Sequence, residues 1–76
     1  MSTVRKLNES ALRGIYDAYM HEAFPPAELK PLAVMLRLME RGRYLCYGYY
    51  RNGRLAAYAF FYRHDSRVLL LDYFAV

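Results

Sequence analysis

Tyr44-Leu45-Cys46-Tyr47-Gly48-Tyr49-Tyr50-Arg51-Asn52-Gly53-Arg54-Leu55-Ala56-Ala57-Tyr58-Ala59-Phe60-Phe61-Tyr62 decides the fold. Asn52-Gly53 is the strongest short-range hairpin signal, because both residues tolerate the positive φ that a two-residue turn demands. The flanks, Tyr44 to Arg51 and Leu55 to Tyr62, are aromatic-rich and read as strands. A two-residue turn sets the register: Arg51 opposite Arg54, Tyr47 opposite Tyr58, Cys46 opposite Ala59. One face then carries Leu45, Tyr47, Tyr49, Tyr58, Phe60 and Tyr62. The other carries Tyr44, Cys46, Gly48, Tyr50, Leu55, Ala57, Ala59 and Phe61. Both faces are apolar, which predicts that both are covered. Cys46, Gly48, Ala57 and Ala59 form a small-residue patch that lets a helix approach closely or admits a ligand.

Downstream, Arg63 to Arg67 reads as a polar turn, and Val68 to Val76 as a third long strand. That strand is apolar on both faces apart from Asp72, a pattern suited to the middle of a sheet, so an unpaired far edge invites aggregation. Upstream, Leu32, Met35, Leu36 and Met39 make the stripe of a helix, with Pro31 at its first turn, Arg41 at its end and Gly42 as the residue after the cap. Ala27 to Lys30 is a preceding turn or the true start of that helix. Before it, Leu12, Ile15, Tyr16, Tyr19, Met20 and Ala23 lie on one face of another helix. Asn8 is its N-cap, Leu7 and Leu12 have the spacing of a hydrophobic staple, Glu9 suits the first turn, and Pro25-Pro26 stops it. Val4 to Leu7 reads as an edge strand. The predicted fold is α+β, in the order β-α-α-β-β-β: a mainly antiparallel sheet with two helices packed on it.

The composition bounds what such a chain can be. Its 76 residues make one small domain or part of one, able to bury only about 60–65% of the unfolded surface. Yet 57% of the residues are hydrophobic, with nine tyrosines and four phenylalanines, which argues against disorder and for a larger core than the chain encloses. Eleven cations against seven carboxylates give a net charge of +4. Nine of the cations are arginines, dispersed along the chain, a pattern that mostly serves solubility. Cys46 is the only cysteine, so an intramolecular disulfide and a multi-cysteine zinc site are excluded. No apolar signal segment opens the chain, and the longest uncharged apolar run, Leu55 to Tyr62, is far short of the roughly 20 residues that span a bilayer. The expectation is a soluble cytoplasmic protein with no membrane partner.

Several stretches together carry a resemblance. They are Ala23-Phe24-Pro25-Pro26 with Glu28 between the helices, the Gly42-Arg43-Tyr44 exit, the Asn52-Gly53 hairpin leading into Leu55-Ala56-Ala57-Tyr58-Ala59, and Leu70-Leu71-Asp72-Tyr73-Phe74-Ala75-Val76. In this order and spacing the whole chain resembles the N-terminal half of the GNAT superfamily of acetyl-CoA-dependent N-acetyltransferases, whose fourth strand typically ends in an apolar-Ala-Val triplet. The resemblance implies an acyl-CoA N-acyltransferase fold, with acetyl-CoA as co-substrate and an amine as acceptor. It implies that main-chain groups of Phe74, Ala75 and Val76 pair with the pantetheine arm like an added strand, one amide polarising the thioester carbonyl. Phe24, Glu28 and Tyr73 would belong to the acceptor-amine wall. One departure is large: the family's R/Q-x-x-G-x-G/A pyrophosphate loop and its fifth strand are not in these 76 residues. The expectation is a truncated domain that transfers nothing alone.

Other readings stand beside these. Asp72, the only charge among the last nine residues, is a candidate catalytic base, or a strand-edge carboxylate that is hydrated or paired with an arginine. Glu28 suits a helix first turn, Tyr73 aromatic packing, and Phe74 to Val76 an ordinary buried strand end. Cys46 reads as a small buried hydrophobe. His64-Asp65-Ser66 holds the residue types of a catalytic triad, but adjacent side chains cannot adopt its geometry. The rival function is a small basic binding module for single-stranded RNA or a protein, with Tyr58, Phe60 and Tyr62 as the stacking row. Against RNA stand the missing glycine of the RNP1 pattern, the helix order and the scattered cations, so nucleic acid is not the expected partner. A homodimer through the exposed C-terminal strand edge is the remaining partner expectation.

Overall fold

The computed structural model describes all 76 residues. It is an α+β fold with a four-stranded antiparallel sheet and two helical stretches on one face. Strands β1 (Ser2–Lys6), β2 (Tyr44–Arg51), β3 (Arg54–Arg63) and β4 (Leu69–Ala75) lie in the order β1-β2-β3-β4. β1 and β4 are therefore the two edges.

The helical part is more divided than a plain β-α-α-β-β-β order. α1 (Glu9–Ile15) runs into a π-helical segment (Tyr16–Met20) and then a short α2 (His21–Ala23). A 3-10 turn (Pro26–Glu28) follows, then α3 (Leu32–Glu40). Asn8 caps α1 by accepting from the Ala11 amide at 2.9 Å, and the stapling pair Leu7 and Leu12 is buried. α3 ends in a Schellman motif. Gly42 (φ 72°) follows the cap, and the amides of Gly42 and Arg43 bond to the carbonyls of Met39 and Leu38.

The π segment corrects the helical face expected from a 3.6-residue period. Leu12, Ile15, Tyr16 and Met20 are buried, but Tyr19 is half exposed and Ala23 is exposed. The wider turn sets Met20, five residues on, in line with Ile15 in place of Tyr19, and this carries Tyr19 off the core.

The hairpin register departs from the sequence reading too. Asn52 (φ 51°) and Gly53 (φ 80°) form the turn, and Arg51 stands opposite Arg54. Beyond Tyr50 and Leu55 the pairing slips by one, leaving Ala56 as the extra residue of a β-bulge. Gly48 then faces Tyr58, Tyr47 faces Ala59 and Cys46 faces Phe60. One inserted residue reverses the facing of every later side chain. Tyr58, Phe60 and Tyr62 thus join Tyr44, Cys46 and Gly48 on the helix side. The small-residue patch is split: Cys46 and Gly48 face the helices, Ala57 and Ala59 the opposite side. Gly48 is tightly enclosed: a Cβ would lie 3.0 Å from the Tyr50 ring and 3.1 and 3.2 Å from the Leu55 and Leu7 methyls, which would have to give by a few tenths of an ångström.

The core is one cluster between sheet and helices. Leu12, Met20, Met35 and Phe60 are fully buried in it, with Tyr44, Cys46, Tyr58 and Tyr73 around them. The opposite sheet face is not covered, contrary to the expectation from its composition. Val4, Leu71 and Phe74 on that face are 68%, 58% and 56% exposed. The shortest dimension of the molecule, 19 Å, fits one helix layer on one sheet layer. No helix is long and apolar enough to cross a membrane.

Candidate functional site

A second β-bulge builds the polar centre of the molecule. Between β3 and β4, Phe60 pairs with Tyr73 and Phe61 with Leu71, so Asp72 is the extra residue. In a regular strand Asp72 would point away from the side that Tyr73 faces. The bulge turns both toward the helices, where Asp72 meets residues that a plain alternation would not bring to it.

Asp72 Oδ2 accepts hydrogen bonds from the Lys30 ammonium at 2.8 Å and from the Tyr44 hydroxyl. The expected arginine partner is replaced by this lysine, which also lies 5.8 Å from the centre of the Tyr44 ring. Lys30 and Asp72 remain about one quarter exposed, so solvent reaches the pair. Asp72 Oδ1 takes no hydrogen bond from the protein. Burial, reinforced by the adjacent Asp72 carboxylate, pushes the Tyr44 hydroxyl far above its ordinary value and keeps it a donor. Cys46 is buried beneath, its thiol pushed up to about 12 by burial and then by the charge of Asp72. A thiol so held is a packed hydrophobe and not a nucleophile.

Three tyrosines fix the loop that carries Lys30. The Tyr73 hydroxyl donates to the Glu28 carbonyl at 2.8 Å and accepts from the Lys30 amide at 2.6 Å. The Tyr16 hydroxyl donates to the Lys30 carbonyl at 2.9 Å, and Tyr44 reaches the same residue through Asp72. Phe24 stacks edge-on against Tyr73, their centroids 4.9 Å apart. Phe24, Tyr73, Asp72 and the backbone of Glu28 are thus brought together. The Glu28 side chain is exposed and belongs to the 3-10 turn, four residues before α3 begins, so it is not in that helix's first turn.

The other three candidates separate. Phe74 pairs with Ala59 on the uncovered face. Ala75 faces the helices opposite Tyr58, and Val76 follows the end of β4, 95% exposed. Ala75 and Val76 line an open groove of about 390 Å³, bordered also by Tyr19, Glu22 and the start of β3. The row of Tyr58, Phe60 and Tyr62 is not available for base stacking, since Tyr58 and Phe60 are buried under the helices.

Sequence patterning placed Tyr16 on a helix face and Tyr44 at a strand start without giving either a polar role, and it passed over Lys30. Lys30 lies in a loop without periodicity, and it meets Asp72 only because of the bulge. No cluster of three or more His, Cys, Asp and Glu side chains suited to a metal ion is present. No protein-family model, no curated protein and no solved structure matches the chain.

Proposed function

We propose that this chain is the acceptor-side half of a GNAT-type N-acetyltransferase domain, which moves an acetyl group from acetyl-CoA to an amine. The observation that carries the reading is the last strand. β4 is an edge strand whose outer side has no protein partner, and its end, Ala75 and Val76, borders an open groove. An unpaired strand edge offers backbone donors and acceptors to an extended ligand, which is how a pantetheine arm with its two amides would be held.

In this reading the amine lone pair attacks the thioester carbonyl carbon, the carbon–sulfur bond breaks, and the coenzyme leaves as a thiolate. A backbone amide near Phe74 to Val76 stabilises the developing oxyanion. Asp72 is the base that takes the proton lost by nitrogen. Its Oδ2 is fixed by Lys30 and Tyr44, which leaves Oδ1 for the acceptor. Phe24 and Tyr73 form the apolar wall beside it, with Glu28 at the rim. The 76 residues alone supply neither a pyrophosphate cradle nor a second wall for the coenzyme cleft, so they do not turn over.

The test is to translate and express the reading frame past codon 76. The expected result is an R/Q-x-x-G-x-G/A loop within about a dozen residues, and transfer of radiolabelled acetyl to amines by the longer protein but not by the 76-residue chain. A stop codon at that point, or a longer protein that leaves acetyl-CoA intact and unbound, overturns the reading.

A further inference from the structure

The sheet face turned away from the helices carries charge of one sign only. Glu9, Asp17, Glu22, Glu28 and Glu40 lie on the helical segments, Asp65 lies in the turn after β3, and the bulge turns Asp72 toward the helices. No carboxylate is left for the outer face. Strand alternation puts four cations there: Lys6 opposite Tyr47, Arg51 opposite Arg54 beside the hairpin turn, and Arg63 at the far end of β3. None of the four is in an ion pair; the pairs of the molecule are Arg13 with Glu9 and Lys30 with Asp72.

Between these cations the face is hollowed into an apolar trough of about 270 Å³. Its floor is Ala57 and Ala59 on β3, and its walls are Tyr47 and Tyr49 on β2 and Phe74 on β4. Phe61, next on the same side of β3, packs edge-on against Tyr47, their ring centroids 6.3 Å apart. The walls stand on the strands either side of β3, about 10 Å apart. That is the width of an α-helix. Arg54 and Arg63 are about 27 Å apart along β3, the length of about 18 helical residues.

We propose that this face docks an acidic amphipathic helix of a partner protein, laid along β3. The apolar stripe of the helix fills the trough, and carboxylates on its flanks meet Lys6, Arg51, Arg54 and Arg63. Shape and charge together select this occupant. A flat bilayer would rest on the exposed side chains of Val4 and Phe74 and leave the half-buried alanine floor unfilled. A second copy laid face to face would set cations against cations, with no carboxylate on either side to offset them. The face lies across the sheet from Asp72 and Lys30, so the inference goes beyond the transfer reaction.

The test is fluorescence anisotropy of two labelled helical peptides of about 18 residues, titrated with the 76-residue chain. Both carry one leucine stripe at helical spacing; one has glutamate on its polar flanks and the other lysine. The glutamate peptide is expected to bind at least about tenfold more tightly. The double variant Arg51→Gln, Arg54→Gln lowers its affinity about fivefold. Phe74→Ala, which trims one wall and keeps every charge, also lowers it about fivefold. These three residues are exposed, so the variants fold. In sedimentation, the glutamate peptide is expected to dissolve self-association of the chain and to release it from phosphatidylglycerol vesicles. Equal affinity for the two peptides, or unchanged binding in either variant, overturns the proposal. A chain that the vesicles hold against excess peptide also overturns it, in favour of a lipid surface. Self-association that the peptide does not dissolve overturns it in favour of a second copy. Peptide binding needs no acetyl-CoA, so its failure leaves the transfer reading standing, and a failure of transfer leaves the docking face standing.

Discussion

Two hydroxyl deletions, chemically identical, should move stability in opposite directions. Tyr73→Phe removes one donor and one acceptor together. It leaves the Glu28 carbonyl and the Lys30 amide without the partners they have at 2.8 and 2.6 Å, both partly buried. At about 1 kcal/mol for each bond, the loss is about 2 kcal/mol, or more if the freed groups find no water. A chain of 76 residues has an unfolding entropy of about 0.16 kcal/mol/K, so the melting temperature should fall by about 12 °C. Tyr58→Phe deletes a hydroxyl with no partner. Removing an unsatisfied buried group should raise stability by up to about 1 kcal/mol, or about 6 °C. Thermal melts by far-UV circular dichroism, repeated as urea titrations, compare both variants with the parent. If both shifts had the same sign, or if Tyr73→Phe melted within about 3 °C of the parent, the assignment of these two hydroxyls would be wrong.

Stability should also decline in alkali. The Cys46 thiol ionises near 9 when unfolded but is pushed up to about 12 in the fold. Between those values the native state keeps a proton that the unfolded chain has lost, so stability is full below 9 and falls as pH rises toward 12. Tyr44 and Tyr58, both raised, add in the same direction above 10. Urea midpoints against pH should show this slope, reduced in Cys46→Ala; a flat profile contradicts it. The uncovered sheet face makes a separate forecast. Leu71 and Phe74 are more than half exposed beside the free β4 edge, so the parent chain should self-associate with rising concentration. The Leu71→Lys, Phe74→Lys double variant should sediment as a monomer. Equal masses for the two proteins at every concentration would remove this face as a contact surface.

Much of the fold was legible because short-range signals decided it. Asn8, Leu7 and Leu12 set the start of α1, Gly42 ended α3, and Asn52-Gly53 fixed the central hairpin; each acts within a few residues. What sequence patterning missed were three one-residue irregularities: the π segment at Tyr16–Met20 and the bulges at Ala56 and Asp72. None has a local signature, since each is settled by which side chains fit the common core. Phe60 and Tyr58 are larger than Ala57 and Ala59, and a bulge at Ala56 buries the larger pair under the helices. The candidate site was legible only in part for the same reason. Asp72 stood out as a lone charge in an apolar strand, but its meeting with Lys30 and Tyr44 depends on the second bulge. The uncovered outer face shows a further limit: an apolar pattern says that a face avoids water, not what covers it.

The attachment of Lys30 has a kinetic consequence. Its amide and its ammonium are tied to residues 43 and 42 positions further along the chain, and the neighbouring Glu28 carbonyl is tied 45 positions away. Contacts of that separation require the last strand to have docked, whereas the hairpin and the capped helices close over short loops. The ties around Lys30 are therefore expected to form late in folding, after the main barrier. Weakening them leaves the rate of folding almost unchanged and quickens unfolding. Substitution of Lys30 is therefore expected to change the unfolding rate more than the folding rate, as stopped-flow measurements would show.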